Sequence, residues 1–104
     1  MKTVEEIDNF IGSNIFVLFY ISTTDCNVCK VLKPKVKDLL TDFPKIESKF
    51  IMIDKMPAAS GKFSVFAVPT IICYIEGKEF IRLGRNFHLA ELQEKISRYY
   101  EMIF

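Results

Sequence analysis

The feature that most constrains the fold is the position of two cysteines between an apolar run and a helical pattern. Residues 15–21 are apolar or aromatic throughout, which is typical of a strand buried on both faces. Cys26 and Cys29 follow shortly after this run and open a segment with helical periodicity. The sequence therefore predicts a strand that delivers the pair to a helix N-terminus, where unpaired N–H groups and the helix dipole favour an anion such as a thiolate.

Two thiols at this spacing can also close on each other across one helical turn, so the pair predicts reversible dithiol–disulfide chemistry. Two alternatives are a pair of buried inert thiols and part of a metal site. Structural zinc takes typically four ligands, and only Cys73 and His88 remain to complete the set, at no convincing spacing. We interpret Cys73 as a small buried hydrophobic residue and His88 as a surface or capping residue.

Length, charge and cysteine count restrict the class of protein. The 104 residues predict one domain over 1–104, and 14 Lys and Arg against 13 Asp and Glu give no bulk attraction to nucleic acid or an anionic membrane. An odd count of three cysteines excludes a fully paired framework within one chain. No apolar run reaches the length of about 20 residues that a membrane span needs. Because Glu5, Glu6 and Asp8 stand where a signal peptide would be apolar, we expect a cytoplasmic protein, and we expect a monomer.

The remaining patterns give an element order. Thr3 and Glu6 have the spacing of a capping box. The predicted elements are a helix from Val4 to Ile11, a strand over 15–21, a helix after the cysteines with its stripe at Leu32, Val36, Leu39, Leu40 and Phe43, a strand over 50–53, a short helix over 57–63, a hairpin of strands 70–74 and 79–83, and a final helix from Leu89 to Ile103. A helical crossover between the first two strands implies that they are parallel. The expected fold is α/β, a three-layer α/β/α arrangement with a four-stranded mixed sheet in the order αβαβαββα.

This order, with Cys-x-x-Cys at the first strand-to-helix junction, resembles the thioredoxin family. Further matches are Lys30, Pro34, Asp54, the segment Val68-Pro69-Thr70, Gly77 and Gly84. The resemblance runs from about Thr3 to the C-terminus, but the family's usual first strand has no counterpart, which leaves four strands. It implies a thiol–disulfide oxidoreductase that reduces protein or low-molecular-weight disulfides. The electron donor would be a thioredoxin reductase or a low-molecular-weight thiol, with no bound cofactor or metal.

The resemblance also implies roles for individual residues. Cys26 would attack the substrate, and Cys29 would resolve the mixed disulfide. A cis Pro69 would bring the backbone of Val68 beside the cysteines, where it can pair with an extended substrate segment. The implied substrate-binding residues are Asn27, Val28, Val68, Pro69 and Thr70.

Three departures from the family pattern predict a less apolar substrate face and, through the missing acid, a slower turnover. Asp25 stands where the family has Trp, Tyr20 where it has a buried acid, and Phe50 where it has the lysine partner of that acid. Without the acid, the proton of Cys29 needs another acceptor or a water molecule. The alternative function is a binding module that docks a partner at the face of residues 68–70 with little redox turnover. The lysines at positions 30, 33, 35 and 37 are interpreted as a solvated helix face.

Overall fold

Four helices and four strands follow one another along the chain in the predicted order. The computed structural model describes residues 1–104. Its elements are α1 (Val4–Ser13), β1 (Phe16–Ser22), α2 (Asn27–Leu40), β2 (Glu47–Met52), α3 (Ala58–Phe63), β3 (Thr70–Ile75), β4 (Lys78–Leu83) and α4 (Leu89–Ile103). This order confirms the αβαβαββα prediction.

The four strands form one mixed sheet in the spatial order β2-β1-β3-β4. β1 runs parallel to β2, to which α2 connects it, and β3 runs antiparallel to both β1 and β4. Ile21 near the end of β1 pairs with Thr70 at the start of β3. The loop that leaves β1 and the loop that enters β3 therefore emerge at the same edge of the sheet.

β1 is the centre of the packing, because every one of its residues is buried. Phe16, Leu18 and Tyr20 face one core, which α2 and α4 cover. The alternate residues of β1 face a second core, which α1 and α3 cover. Full burial of a large apolar side chain stabilises a fold by about 1.5–3 kcal/mol, so both cores hold this strand in place. The two cores therefore fix the end of β1, from which the chain continues to the cysteines.

Two element boundaries differ from the prediction by three residues, and the others agree to within two. β2 begins at Glu47 rather than Phe50, and its first half alternates exposed and half-buried residues because it is an edge strand. α2 ends at Leu40, so Phe43 lies outside the helix to which its spacing assigned it. The Phe43 amide donates to the Leu40 carbonyl at 3.0 Å, and this tight turn still delivers the ring to the core.

Local signals account for the start of the chain and for the hairpin. The Thr3 hydroxyl accepts a hydrogen bond from the Glu6 amide at 3.1 Å and caps α1, as the capping box predicts. Glu76 (φ 51°) and Gly77 (φ 84°) form the turn between β3 and β4. Two consecutive positive φ angles are characteristic of a type I′ hairpin turn, whose second position strongly favours glycine.

Candidate active site

The cysteine pair lies at the point where the chain passes from β1 into α2. Cys26 is the N-cap of α2, and its Sγ accepts a hydrogen bond from the Cys29 amide at 3.2 Å. The Cys26 amide donates to the Thr23 carbonyl at 3.3 Å, which closes the loop before the helix. The two sulfurs are joined in a disulfide across a Cα–Cα distance of 5.2 Å. The first turn of α2 therefore places both sulfurs together at the helix N-terminus.

The two cysteines differ in their access to solvent. Cys26 is half-buried, whereas Cys29 is only 3% exposed and belongs to the core beneath α2. In the reduced protein, the Cys26 thiolate would lie at the positive end of the helix dipole with a backbone N–H pointing at it. Both effects favour the charged form of the sulfur. Cys26 is therefore the accessible sulfur of the pair, and Cys29 is the shielded one.

The loop before β3 approaches the same edge of the sheet. Its Val68–Pro69 peptide bond is cis. The Thr70 hydroxyl donates to the Ala67 carbonyl at 2.7 Å and so holds the loop closed around this bond. Pro69 and Thr70 are buried, and Val68 is half-buried. Of the predicted substrate-binding residues in this loop, Val68 is thus the one that reaches the surface, while the Thr70 side chain is engaged within the protein.

The other two predicted substrate-binding residues, Asn27 and Val28, lie on the exposed first turn of α2. They line a shallow cavity of about 360 Å³ together with Val31, Leu32 and Lys35. Val31 is 63% exposed and Phe66, two residues before Val68, is 87% exposed. Sequence reasoning missed both apolar surface residues. The available signals were the spacing of Val31 one turn after Val28 and an isolated Phe in the loop before Val-Pro.

An aromatic pair occupies the position behind the cysteines. Tyr20 and Phe50 are partners across β1 and β2, with ring centroids 5.3 Å apart. The Tyr20 hydroxyl donates to the Cys29 carbonyl at 3.0 Å. Burial raises the pKa of Tyr20 to about 12, so the phenol is neutral at physiological pH. The place where the resemblance expects a buried acid and its lysine therefore holds a neutral hydrogen-bond donor against a phenylalanine ring.

The third cysteine and the single histidine lie apart from this chemistry. Cys73 is fully buried in β3 opposite Leu18, and burial raises the pKa of its thiol. His88 is exposed at the N-cap position of α4, but its side chain makes no capping hydrogen bond. No three His, Cys, Asp or Glu side chains come together in an arrangement that would hold a metal ion. None of the helices is both long and apolar enough to cross a membrane.

Comparisons with known proteins agree with this geometry. The sequence model of the Thioredoxin family matches residues 2–98. The thioredoxin-like protein YdfQ of Bacillus subtilis is 35% identical over 102 residues, which cover 98% of this chain and 91% of the relative. Thioredoxin 1 of Thermosipho africanus matches with a TM-score of 0.77 and 31% identity, over 83% of this chain and 96% of that one. A mutant thioredoxin of Halobacterium salinarum, at 22% identity, supports the fold alone, with a TM-score of 0.86 over 100% and 91% of the two chains.

Proposed function

The chain belongs to the thioredoxin family, and from this premise we propose that it reduces protein or low-molecular-weight disulfides through the Cys26–Cys29 dithiol. The observation that carries the proposal is the placement of the pair. An accessible sulfur caps a helix N-terminus, and a second sulfur lies within bonding reach one turn deeper. Neither sulfur needs a bound cofactor for this exchange.

The reaction proceeds through two thiol–disulfide exchanges. The Cys26 thiolate attacks one sulfur of the substrate disulfide, and the other substrate sulfur leaves as a thiolate. The Cys29 thiolate then attacks the Cys26 sulfur of the mixed disulfide, so the second substrate thiolate leaves and the Cys26–Cys29 disulfide forms. Two electrons pass from the dithiol to the substrate. A thioredoxin reductase or a low-molecular-weight thiol would return them to the protein, in keeping with the cytoplasmic location expected from the sequence.

The substrate would dock between the first turn of α2 and the loop before β3. The half-buried Val68 offers its backbone to an extended segment, which can pair with it as an added strand. The exposed Val28 provides an apolar contact beside the reactive sulfur. Because Asp25 replaces the family's Trp, this surface is less apolar than usual and would select substrates more narrowly.

A trapping experiment tests the assigned roles. Cys29→Ser leaves the attacking sulfur but removes the resolving one, so the variant should accumulate a mixed disulfide with insulin chains. Cys26→Ser should trap nothing, and Cys73→Ala, which changes only the buried third thiol, should turn over insulin like the parent protein. Mass spectrometry of the adducts identifies the sulfur involved. Trapping through Cys29 or Cys73 would reverse the assignment.

The same variants separate an oxidoreductase from a binding module. A reductase loses insulin reduction when either Cys26 or Cys29 is replaced. A binding module would show negligible insulin reduction in the parent protein and would retain its partners when both cysteines are serine. That second result would refute the proposed function.

A further inference from the structure

A small cavity lies against Cys29, and Val28 is not among the residues that line it. Its volume is about 180 Å³, and it is lined by Ser22, Thr23, Thr24, Cys29, Lys30, Lys33 and Met52. Thr24 and Lys30 are exposed, so the cavity reaches the surface. A water molecule occupies about 30 Å³ in the liquid, so the volume has room for several of them. Cys29, which is otherwise shielded, therefore borders a space that water can enter from the surface.

Cys29 needs such a route because its thiol must lose a proton before it can attack the mixed disulfide. The side chain behind it on the sheet is Tyr20, whose hydroxyl is already donating to the Cys29 carbonyl. The raised pKa of Tyr20, about 12, also keeps that phenol protonated and unable to accept a proton. The sheet side of Cys29 thus supplies no base.

Lys33 approaches the cavity from the helix side. It stands four residues after Cys29, which places both on one face of α2, and helical side chains lean back toward the N-terminus. Lys33 is half-buried, and its Nζ lies 5.4 Å from the ring centroid of Phe50. Lys33 thus lines the cavity, while a cation–π contact with Phe50 holds its ammonium group against β2.

We propose that this cavity is the proton exit of Cys29 and that the Lys33 ammonium is the positioning group that stabilises the Cys29 thiolate during resolution. The inference rests on the proposed function and deepens it. In the step, the Cys29 thiol gives its proton to water in the cavity. The resulting thiolate forms the bond to the Cys26 sulfur, and the bond between Cys26 and the substrate breaks with its electron pair on the departing substrate sulfur.

Other charged groups lie on or next to the segments that line the cavity. Lys30, also on α2, lines the cavity from its exposed mouth. Asp54, which follows β2, accepts a hydrogen bond from the Thr24 amide at 3.1 Å, and hydrogen bonds from Thr24 lower the pKa of its carboxyl. The Asp54 carboxylate opposes the thiolate, and so does the exposed Asp25 side chain just before the helix. Lys33 is the half-buried cation that offsets them.

A titration tests the proposal without any substrate. The Cys29 thiolate is followed by its ultraviolet absorbance in a Cys26→Ser background, where the buried Cys73 stays protonated. Lys33→Met should raise the pKa of Cys29 by about 0.5–1 unit, and Lys33→Arg should restore it. Lys37→Met is the matched control. Its Nζ lies 5.2 Å from the same Phe50 ring, but Lys37 stands one turn further from Cys29 and does not line the cavity.

Stopped-flow reaction with dithiobis-nitrobenzoate measures the step itself. Attack by Cys26 releases one nitrothiobenzoate, and attack by Cys29 releases the second in a separate phase. A thiolate of higher pKa is scarcer at neutral pH but intrinsically more nucleophilic, so Lys33→Met should slow the second phase about two- to fourfold at pH 7. At a pH above both pKa values both thiols are fully ionised, so the slowing should disappear and the more basic Cys29 thiolate of Lys33→Met should react slightly faster than that of the parent protein. A purely structural effect of the substitution would persist there.

Equal Cys29 pKa values in Lys33→Met and Lys37→Met would overturn the proposal, as would a slowed second phase that Lys33→Arg fails to restore. Lys33→Gln repeats the neutralisation with a shorter side chain if the methionine variant is unstable. Insulin reduction by the parent protein is measured in parallel. If the parent protein does not reduce insulin, the proposed function is refuted, whereas the titration still decides the role of Lys33.

Discussion

Replacing Tyr20 by phenylalanine isolates what its hydroxyl contributes. Tyr20 is fully buried, and its hydroxyl donates to the Cys29 carbonyl at 3.0 Å, tying the first turn of α2 to the centre of the sheet. Phenylalanine keeps the ring and its contact with Phe50 and removes one oxygen. The Cys29 carbonyl retains the bond that its helical position provides, so only its second lone pair loses a partner.

The expected decrease in stability follows from the loss of this one hydrogen bond. A net intramolecular hydrogen bond contributes about 0.5–1.5 kcal/mol, and the acceptor here stays partly satisfied, so we expect Tyr20→Phe to lower the free energy of unfolding by about 1 kcal/mol. In a domain of this size the melting temperature should fall by about 4–8 °C. Insulin reduction should be largely retained, because a neutral phenol that is already donating has no part in taking up the Cys29 proton.

Urea denaturation and insulin reduction, measured on the same preparations, check the expected decrease in stability and the expected retention of activity. Tyr99→Phe is the control, since the Tyr99 ring packs on Phe80 and its hydroxyl makes no hydrogen bond within the protein. A Tyr20→Phe variant as stable as this control would refute the structural role. Positioned general acid–base groups contribute about 10²–10⁴-fold, so a loss of activity of that size would show that the phenol does carry the proton.

The remaining predictions concern other buried ionisable groups. Tyr20→Asp should place a carboxylate against Phe50 instead of a lysine, and an uncompensated buried charge lowers the free energy of unfolding by about 3–5 kcal/mol. This loss of stability should grow as pH rises through the raised pKa of the new carboxyl. A urea midpoint that is independent of pH would contradict the prediction. The parent protein should lose stability in alkali, because burial raises the pKa of both Cys73 and Tyr20 in the folded state. The contribution of these two neutral groups to the free energy of unfolding is fully present below their unfolded pKa values of about 8.5 and 10, and it is lost as pH rises toward their folded pKa values. Cys73→Ala should remove the part that begins near the lower value, which urea midpoints measured across that range would show.

Much of the fold follows from patterns that act locally. The apolar run that became β1 is buried at all of its positions, and the cap on α1 and the turn at Glu76 and Gly77 come from nearest-neighbour chemistry. The exposed half of β2 was missed because an edge strand needs apolar residues on only part of its surface. The stripe ending at Phe43 overran α2 because a tight turn can keep a residue in helical phase after the helix has ended.

The cysteine site could be located from sequence because strand, helix and Cys-x-x-Cys are contiguous. The surroundings of Cys29 could not, because they depend on which side chains β2 brings against α2. Sequence reasoning treated the lysines of α2 as one solvated face. The structure distinguishes them, since Lys33 and Lys37 both lie over the ring of Phe50, and only Lys33 also lines the cavity beside Cys29. From their spacing alone, Lys33 and Lys37 would be equivalent residues of one face of α2, and only the position of the cavity distinguishes them.

Tyr20 and Phe50 stand where the resemblance expects an acid and its lysine, and this difference concerns more than a proton acceptor. The buried Tyr20 and the half-buried Phe50 pack together at no cost in charge desolvation, whereas an acid and a lysine there would have to be paired with each other. The positive charge is instead carried by Lys33, at the rim of the core, where water can share its solvation. The sheet beneath the cysteines thereby serves stability, and the control of the resolving thiol passes to the helix and the cavity beside it. A chain built this way should tolerate Lys33→Met with little change in its urea midpoint while its resolution step slows, a separation that a buried acid–lysine pair would not allow.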